Sequence, residues 1–187
     1  RAEQLAGLGY IAFAADMYGE GKTANHPDDA KKFATQVRSN GKLWRERALA
    51  ALEVLKSQPQ CDAGKLAAIG YCFGGSTALQ LAYTGVDLKA VVSFHGALPT
   101  ATADEAKRVK AHVLICHGGA DSFIPEEAIK SFRSALDRAA HPARFSISAI
   151  VSALANPING PANPCSLVMR LAVTISVNRR LVFPDAV

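Results

Sequence analysis

The chain has 187 residues, of which 49% are hydrophobic and 20% charged, and this composition is ordinary for a globular protein. It excludes a disordered, collagen-like or disulfide-scaffold chain, and the length suits one domain with a sizeable core. The formal charge of +5 arises from 21 Lys+Arg against 16 Asp+Glu, with no basic run interleaved with aromatic residues. We therefore expect no nucleic-acid partner.

The four cysteines are widely spaced and form neither a CxxC pair nor a metal-ligand pattern. Reduced thiols are the default expectation for such a chain, which favours a cytoplasmic protein without a bound metal. Arg170 interrupts the longest apolar stretch, and no run reaches the ~18 residues that a membrane span needs. We therefore expect no membrane partner and no signal peptide.

Short apolar strands alternate with amphipathic helices as far as His141. Strands are predicted at about 10–15, 66–71, 90–94, 112–116 and 145–151, and helices at 1–8, 28–39, 43–57, 102–109, 126–139 and from a Gly-rich turn to about 83. The helix at 43–57 turns an apolar face inward, and we expect Arg47 to point away from it toward solvent. The alternation predicts βαβ units and a parallel sheet in an α/β fold.

The composition changes after His141, where Pro and Asn residues crowd one loop and charged residues become sparse. Beyond the strand near 145–151, no further element is predicted. We interpret 1–187 as a single, partial α/β domain with a divergent tail at 142–187. Because the chain begins with Arg1 inside what reads as a helix, we expect it to be a fragment.

The segment Gly70–Gly75, with the sequence GYCFGG, follows a predicted buried strand and opens a predicted helix. It matches the G-x-nucleophile-x-G elbow, with Cys72 in the place of the usual serine. The turn is sharp, so a side chain at Gly70 or Gly74 would collide with the neighbouring strand or helix. A helix N-terminus favours the thiolate form of a cysteine placed there, and the Phe73 N–H is the expected oxyanion donor.

Two other interpretations of this segment stay open. In the first, Cys72 is a buried structural cysteine beside an ordinary Gly-rich turn. In the second, the glycines form a dinucleotide-binding loop, which needs an acid at the end of the following strand, about 20 residues on. That strand ends at Ser93-Phe94-His95, Asp87 lies before it, and the glycine spacing does not match GxGxxG.

A second loop, His117–Pro125 with the sequence HGGADSFIP, follows the predicted strand at 112–116. Loops after parallel strands meet at the carboxyl edge of the sheet, where ligands bind. A carboxylate at Asp121 can orient a histidine there, as the acid of a catalytic triad does. The alternative is a turn or helix-capping aspartate, which is the commoner role for an isolated aspartate.

These motifs resemble the dienelactone hydrolase family, also described as carboxymethylenebutenolidase-like, within the α/β-hydrolase superfamily. The resemblance covers about residues 2–136 and is carried by LAGLGYIA with DMY near the N-terminus, then by GYCFGG, VVSFHG and HGGADSFIP. It implies a three-layer α/β sandwich with a mostly parallel sheet. It further implies a small-molecule ester or lactone substrate, a Cys acyl-enzyme, no cofactor and no metal, while the oligomeric state stays open.

The resemblance also implies a role for each matching residue. Cys72 would be the nucleophile, Asp121 the acid that orients the base, and the Phe73 backbone N–H an oxyanion donor. The glycines that shape the elbow would be Gly70, Gly74 and Gly75.

Two departures from the family pattern change what we expect of the sheet and of the catalytic activity. The base, a histidine in a His-x-Phe-x-Asn-Pro-like context, is replaced by Ser152 in the sequence SALANP. The family's N-terminal strands are missing, including one that would lie between strands 10–15 and 66–71. We expect those two strands to close up, to pair with another copy of the chain or to leave the sheet open. We also expect the chain to turn over esters inefficiently. The alternative function is an inactive relative that binds a small carboxylate or ester.

No other histidine fits the role of the base well. His141 is the only one after Asp121, but it precedes a proline at a predicted helix end and reads as a surface residue. His95 and His117 follow strands near the edge of the site, where histidines more often bond to backbone. A metal site of His95, His117 and Asp121 is a weaker alternative, because no spacing rule supports it.

Overall fold

The computed structural model of the protein describes residues 1–119, Asp121, residues 123–138, and the backbone of two later strands, 145–150 and 172–177. Within these residues the strands are β1 (Tyr10–Ala14), β2 (Leu66–Tyr71), β3 (Ala90–Phe94), β4 (His112–Gly118), β5 (Phe145–Ile150) and β6 (Ala172–Val177). The helices are α1 (Ala2–Ala6), α2 (Pro27–Arg38), α3 (Gly41–Lys56), α4 (Phe73–Tyr83), α5 (Ala103–Arg108) and α6 (Glu126–Asp137).

The predicted elements are confirmed, with ends that shift by a few residues, and one strand, β6, is additional. Its sequence, AVTISV, is rich in the β-branched residues that favour strands. It lies inside a longer apolar stretch, and its partner strands are distant in the sequence. Periodicity alone therefore does not reveal it.

The strand order in the sheet is β1-β6-β2-β3-β4-β5. Strands β2 to β5 are parallel to their neighbours, with Gly70 opposite Ser93, Ser93 opposite Ile115, and Ile115 opposite Ile147. Strand β6 is antiparallel to both β1 and β2, so β1 and β2 run in the same direction. The sheet is mostly parallel, as predicted, and the carboxyl ends of β1 to β5 lie at one edge.

Strand β6 lies between β1 and β2, where its residue Ile175 pairs with Ala12 on one side and Ala67 on the other. The expectation that β1 and β2 close up, pair with another copy or leave the sheet open is therefore wrong. The physical reason lies in the backbone. A strand of either direction supplies hydrogen-bond partners to both neighbours, and a buried N–H or C=O without a partner costs about 1–3 kcal/mol.

The hydrophobic core joins buried strand residues to side chains of α3 and α4, and it extends to Phe132 and Leu136 of α6. In β2 the side chains of Leu66 and Ala68 are buried, while the residues between them are half-buried. The strand thus presents alternate residues to the core. The helices contribute Trp44, Leu52 and Leu55 from α3 and Phe73, Leu79 and Leu81 from α4. Removing each large side chain from water stabilises the fold by about 1.5–3 kcal/mol.

Arg47 of α3 is half-buried and does not point to solvent, so the expectation for this residue is wrong. Its Nη1 donates hydrogen bonds to the carbonyl oxygens of Met17 and Tyr18, each at 2.9 Å. The loop after β1 lies against this side of α3. The helical pattern separates apolar from polar faces, but it does not show that two carbonyl oxygens approach the polar one.

Candidate active site

Cys72 occupies the turn between the last residue of β2, Tyr71, and the first residue of α4, Phe73. Its backbone has φ 53° and ψ −118°, a strained conformation for a residue with a side chain. Its N–H donates to the carbonyl oxygen of Phe94 at 2.9 Å, and its own carbonyl accepts from the Gly75 N–H at 3.1 Å. The predicted strand–turn–helix context is present, and it holds the thiol at the apex of a sharp turn.

Three glycines allow the backbone to approach closely behind this turn. A Cβ at Gly70 would overlap the backbone of Gly74, and one at Gly75 would overlap the hydroxyl of Ser93. A Cβ at Gly96 would lie 2.6 Å from the same hydroxyl. Ser93 is fully buried, and its Oγ has no hydrogen-bond partner among the described residues. Gly96 belongs to the VVSFHG segment, but only the packing shows that it, too, must lack a side chain.

The side chain and carbonyl of Phe73 are fixed by tertiary contacts. Its ring is fully buried and stacks on Trp44, with centroids 5.4 Å apart, and on Tyr18, with centroids 6.1 Å apart. Its carbonyl oxygen accepts from Thr77 Oγ1 at 2.9 Å, and that oxygen accepts from Trp44 Nε1 at 2.8 Å. Within the described part of the chain, the Phe73 N–H has no acceptor. It is therefore available to an oxyanion at the positive end of α4.

His95 and His117 lie at the same sheet edge as Cys72. Phe94 pairs with Tyr71 on one side and with Cys116 on the other, so the next residue of each strand reaches this edge. His95 has a φ of 40°, and its N–H donates to the Cys116 carbonyl oxygen at 2.8 Å.

His117 is buried, and its ring bonds to neighbouring backbone. The Nδ1 atom lies 3.0 Å from the carbonyl oxygen of Gly118. This contact agrees with the expectation of a backbone-bonding histidine. Across the residues described, no group of three or more His, Cys, Asp or Glu side chains is arranged to hold a metal ion.

Asp121 follows β4 in a tight turn and is half-buried. Its N–H donates to the Gly118 carbonyl oxygen at 3.1 Å, and its Oδ1 accepts from the Phe123 N–H at 3.0 Å. One carboxylate oxygen thus stabilises the turn, as the turn-residue alternative requires. The other, Oδ2, has no partner among the described residues and remains available to a histidine N–H.

Two sequence-predicted positions lie outside the described residues, namely Ser152 in the place of the base and the remaining candidate His141.

Burial raises the pKa of the Cys116 thiol above its ordinary value, because the charged form loses solvation. Cys116 therefore resists ionisation although it lies close to the same edge.

A mostly parallel sheet with alternating helices, in which a strained strand–turn–helix elbow carries Cys72 and a later strand is followed by Asp121, is typical of an α/β-hydrolase-type fold. The sequence profile of the dienelactone hydrolase family matches residues 1–153. The chain belongs to the dienelactone hydrolase family.

Individual relatives agree with this assignment. Protein usf of Aquifex pyrophilus is 32% identical over 130 residues, which are 68% of this chain and 55% of that protein. The solved structure of m3DLH matches with a TM-score of 0.79 and 37% identity, over 92% of this chain and 70% of that one. A dienelactone hydrolase-like promiscuous phosphotriesterase, P91 from metagenomic libraries, matches with a TM-score of 0.78 and 35% identity, over the same shares of the two chains.

The chain spans about half the length of the curated relatives it matches, since it covers 55% of the first and 53% of another. No helix in the described ranges combines the length and apolarity that crossing a membrane requires.

Proposed function

We propose that this chain is a hydrolase that opens ester or lactone bonds through an acyl-enzyme on Cys72. The observation that carries the proposal is the strained elbow. It holds the thiol at the carboxyl edge of the sheet, directly before a backbone N–H that no described residue accepts. Strain of this kind persists only where the surroundings enforce it, and it concentrates at functional sites.

In the proposed reaction, the Cys72 thiolate attacks the carbonyl carbon of the substrate and forms a C–S bond. The carbonyl oxygen becomes an oxyanion, which accepts a hydrogen bond from the Phe73 N–H. Collapse of this intermediate breaks the C–O bond and releases the alcohol, or opens the ring of a lactone. Water then hydrolyses the thioester and regenerates the thiol.

The proton transfers of this cycle need a general base, and Asp121 is suited to orient a histidine in that role. Ser152 stands where the family pattern has this histidine. A serine hydroxyl does not accept a proton near neutral pH. We therefore propose that this chain forms the acyl-enzyme with an activated ester but turns it over slowly.

The ligand-binding alternative, a relative without turnover, receives less support. The structural relative P91 bears the name of an enzyme, a dienelactone hydrolase-like promiscuous phosphotriesterase. The elbow strain is also unnecessary for binding alone. We propose a small-molecule ester or lactone as the substrate, and a cytoplasmic location, which the free thiols of Cys61, Cys72 and Cys116 support.

The test is a single-turnover reaction with p-nitrophenyl acetate. We expect a burst of p-nitrophenolate close to one equivalent per protein, and an acetyl group on the peptide that contains Cys72. The variant Cys72→Ser should lose both, whereas Cys116→Ser should keep both. A missing burst, or acetylation at other residues only, would contradict the proposal.

A further inference from the structure

The guanidinium group of Arg47 holds the loop that follows β1. Its two hydrogen bonds, to the carbonyl oxygens of Met17 and Tyr18, use one nitrogen, Nη1. Gly19, at φ +82°, lies over the same group, because a Cβ at this position would be 3.1 Å from Nη2 and 3.3 Å from Cζ. The loop therefore wraps closely around the guanidinium.

The same loop is held a second time by Asp16. Its Oδ1 accepts from the N–H groups of Tyr18 at 3.1 Å and Gly19 at 2.9 Å, and its Oδ2 accepts from the Gly21 N–H at 2.8 Å. The carboxylate binds the N–H groups while the guanidinium binds the carbonyl oxygens. Together they give the loop one conformation, in which Tyr18 is 6% exposed.

Tyr18 connects this loop to the elbow. Its ring stacks on Phe73, with planes 22° apart, and Phe73 supplies the proposed oxyanion donor. An oxyanion donor is effective only when it points to the position that the developing charge will occupy. Displacing the Tyr18 ring removes one of the two aromatic supports that fix Phe73, and misplacement by about 1 Å is enough to slow catalysis.

We infer that Arg47 is a positioning residue for the oxyanion site. By binding the carbonyl oxygens of Met17 and Tyr18, it keeps the Tyr18 ring against Phe73 and thereby fixes the Phe73 N–H. The inference rests on the proposed function. The planar guanidinium suits the task because its N–H groups are held in a rigid fork, whereas a lysine presents a mobile point charge.

Two reactions of the same thiol separate this role from a general structural one. Acylation of Cys72 by p-nitrophenyl acetate passes through an oxyanion and releases p-nitrophenolate. Alkylation by iodoacetamide displaces iodide from a carbon atom and forms no oxyanion. For Arg47→Ala we expect acylation to slow about tenfold, less than the ~10²–10³ that a lost donor costs. We expect the rate of alkylation to stay unchanged.

Matched variants complete the experiment. Arg45 lies on the same helix but pairs with Gln80, at 2.8 Å from Nε to Oε1, and with Glu105. Arg45→Ala should therefore keep the wild-type ratio of acylation to alkylation. For Arg47→Lys we expect a ratio of acylation to alkylation between those of the wild type and Arg47→Ala. If Arg47→Ala does not fold, Arg47→Gln takes its place, because glutamine retains an N–H donor.

An unchanged ratio in the Arg47 variants would overturn the inference and leave the proposed function standing. Equal slowing of both reactions would also overturn it, because Arg47 would then support only the fold. If the wild-type chain itself is not acylated at Cys72, the proposed function fails and this inference fails with it.

Discussion

At the scale of single residues, Cys72 and Cys116 lie close to the same sheet edge in different surroundings. Cys72 is half-buried at the apex of the elbow, whereas Cys116 is 8% exposed and burial raises the pKa of its thiol. We expect iodoacetamide to alkylate Cys72 several-fold faster near neutral pH, since the thiolate is the reacting species. Mass spectrometry of the two peptides measures both rates. In urea the two rates should converge, and equal or slower labelling of Cys72 in the folded protein would argue against a nucleophile.

Asp121 has one oxygen engaged in its own turn and one without a partner among the described residues. In a Ser152→His background, we expect Asp121→Asn to lower kcat on the order of 10⁴-fold with little change in KM, because the acid holds the histidine tautomer. In the chain with Ser152, the same change should have little effect on the slow steady-state turnover, because no histidine is present for Asp121 to orient. Steady-state ester hydrolysis by the four proteins measures this coupling. Near-normal turnover by the variant that combines Ser152→His with Asp121→Asn would show that Asp121 is only a turn residue.

At the scale of elements, α5 begins with a capping box and is tied to α3. Thr102 Oγ1 accepts from the Glu105 N–H at 3.2 Å, and Glu105 Oε2 accepts from the Thr102 N–H at 2.8 Å. The other carboxylate oxygen pairs with Arg45. Burial alone would raise the pKa of Glu105, but the Thr102 N–H and the Arg45 guanidinium hold it below its ordinary value of 4.5.

We expect Glu105→Gln to lower the free energy of unfolding by about 1.5–3 kcal/mol at neutral pH, the range for losing a hydrogen bond to a charged group. Gln preserves the capping box but not the ion pair. Since the folded-state pKa lies below 4.5, this stabilisation is complete above that pH and is lost as the pH falls through the folded-state pKa. Urea unfolding at several pH values measures the difference in the free energy of unfolding between the wild type and Glu105→Gln. A difference that is constant down to acid pH would contradict this prediction.

At the scale of the whole molecule, β6 completes the sheet. Its residue Thr174 pairs with Phe13 on one side and with Ala68 on the other. We expect Thr174→Pro to destabilise the fold by about 1–3 kcal/mol, because the ring removes an N–H and leaves a ladder carbonyl unpaired. The matched variant Thr174→Val keeps the backbone donor and should remain close to wild type. Equal urea midpoints for the two variants would show that β6 is not required between β1 and β2.

The sequence by itself determined the βαβ alternation, the elbow context around Cys72 and the common sheet edge of Cys72 and Asp121. These follow from local signals, since apolar runs, glycine spacing and turn residues act on neighbouring positions. Tertiary structure alone decided the insertion of β6 between β1 and β2, the contact of Arg47 with the loop after β1, and the close approach of Gly96 to Ser93 and the elbow. Most of these contacts join residues distant in the chain, and they depend on hydrogen-bond partners and free space that no sequence period encodes.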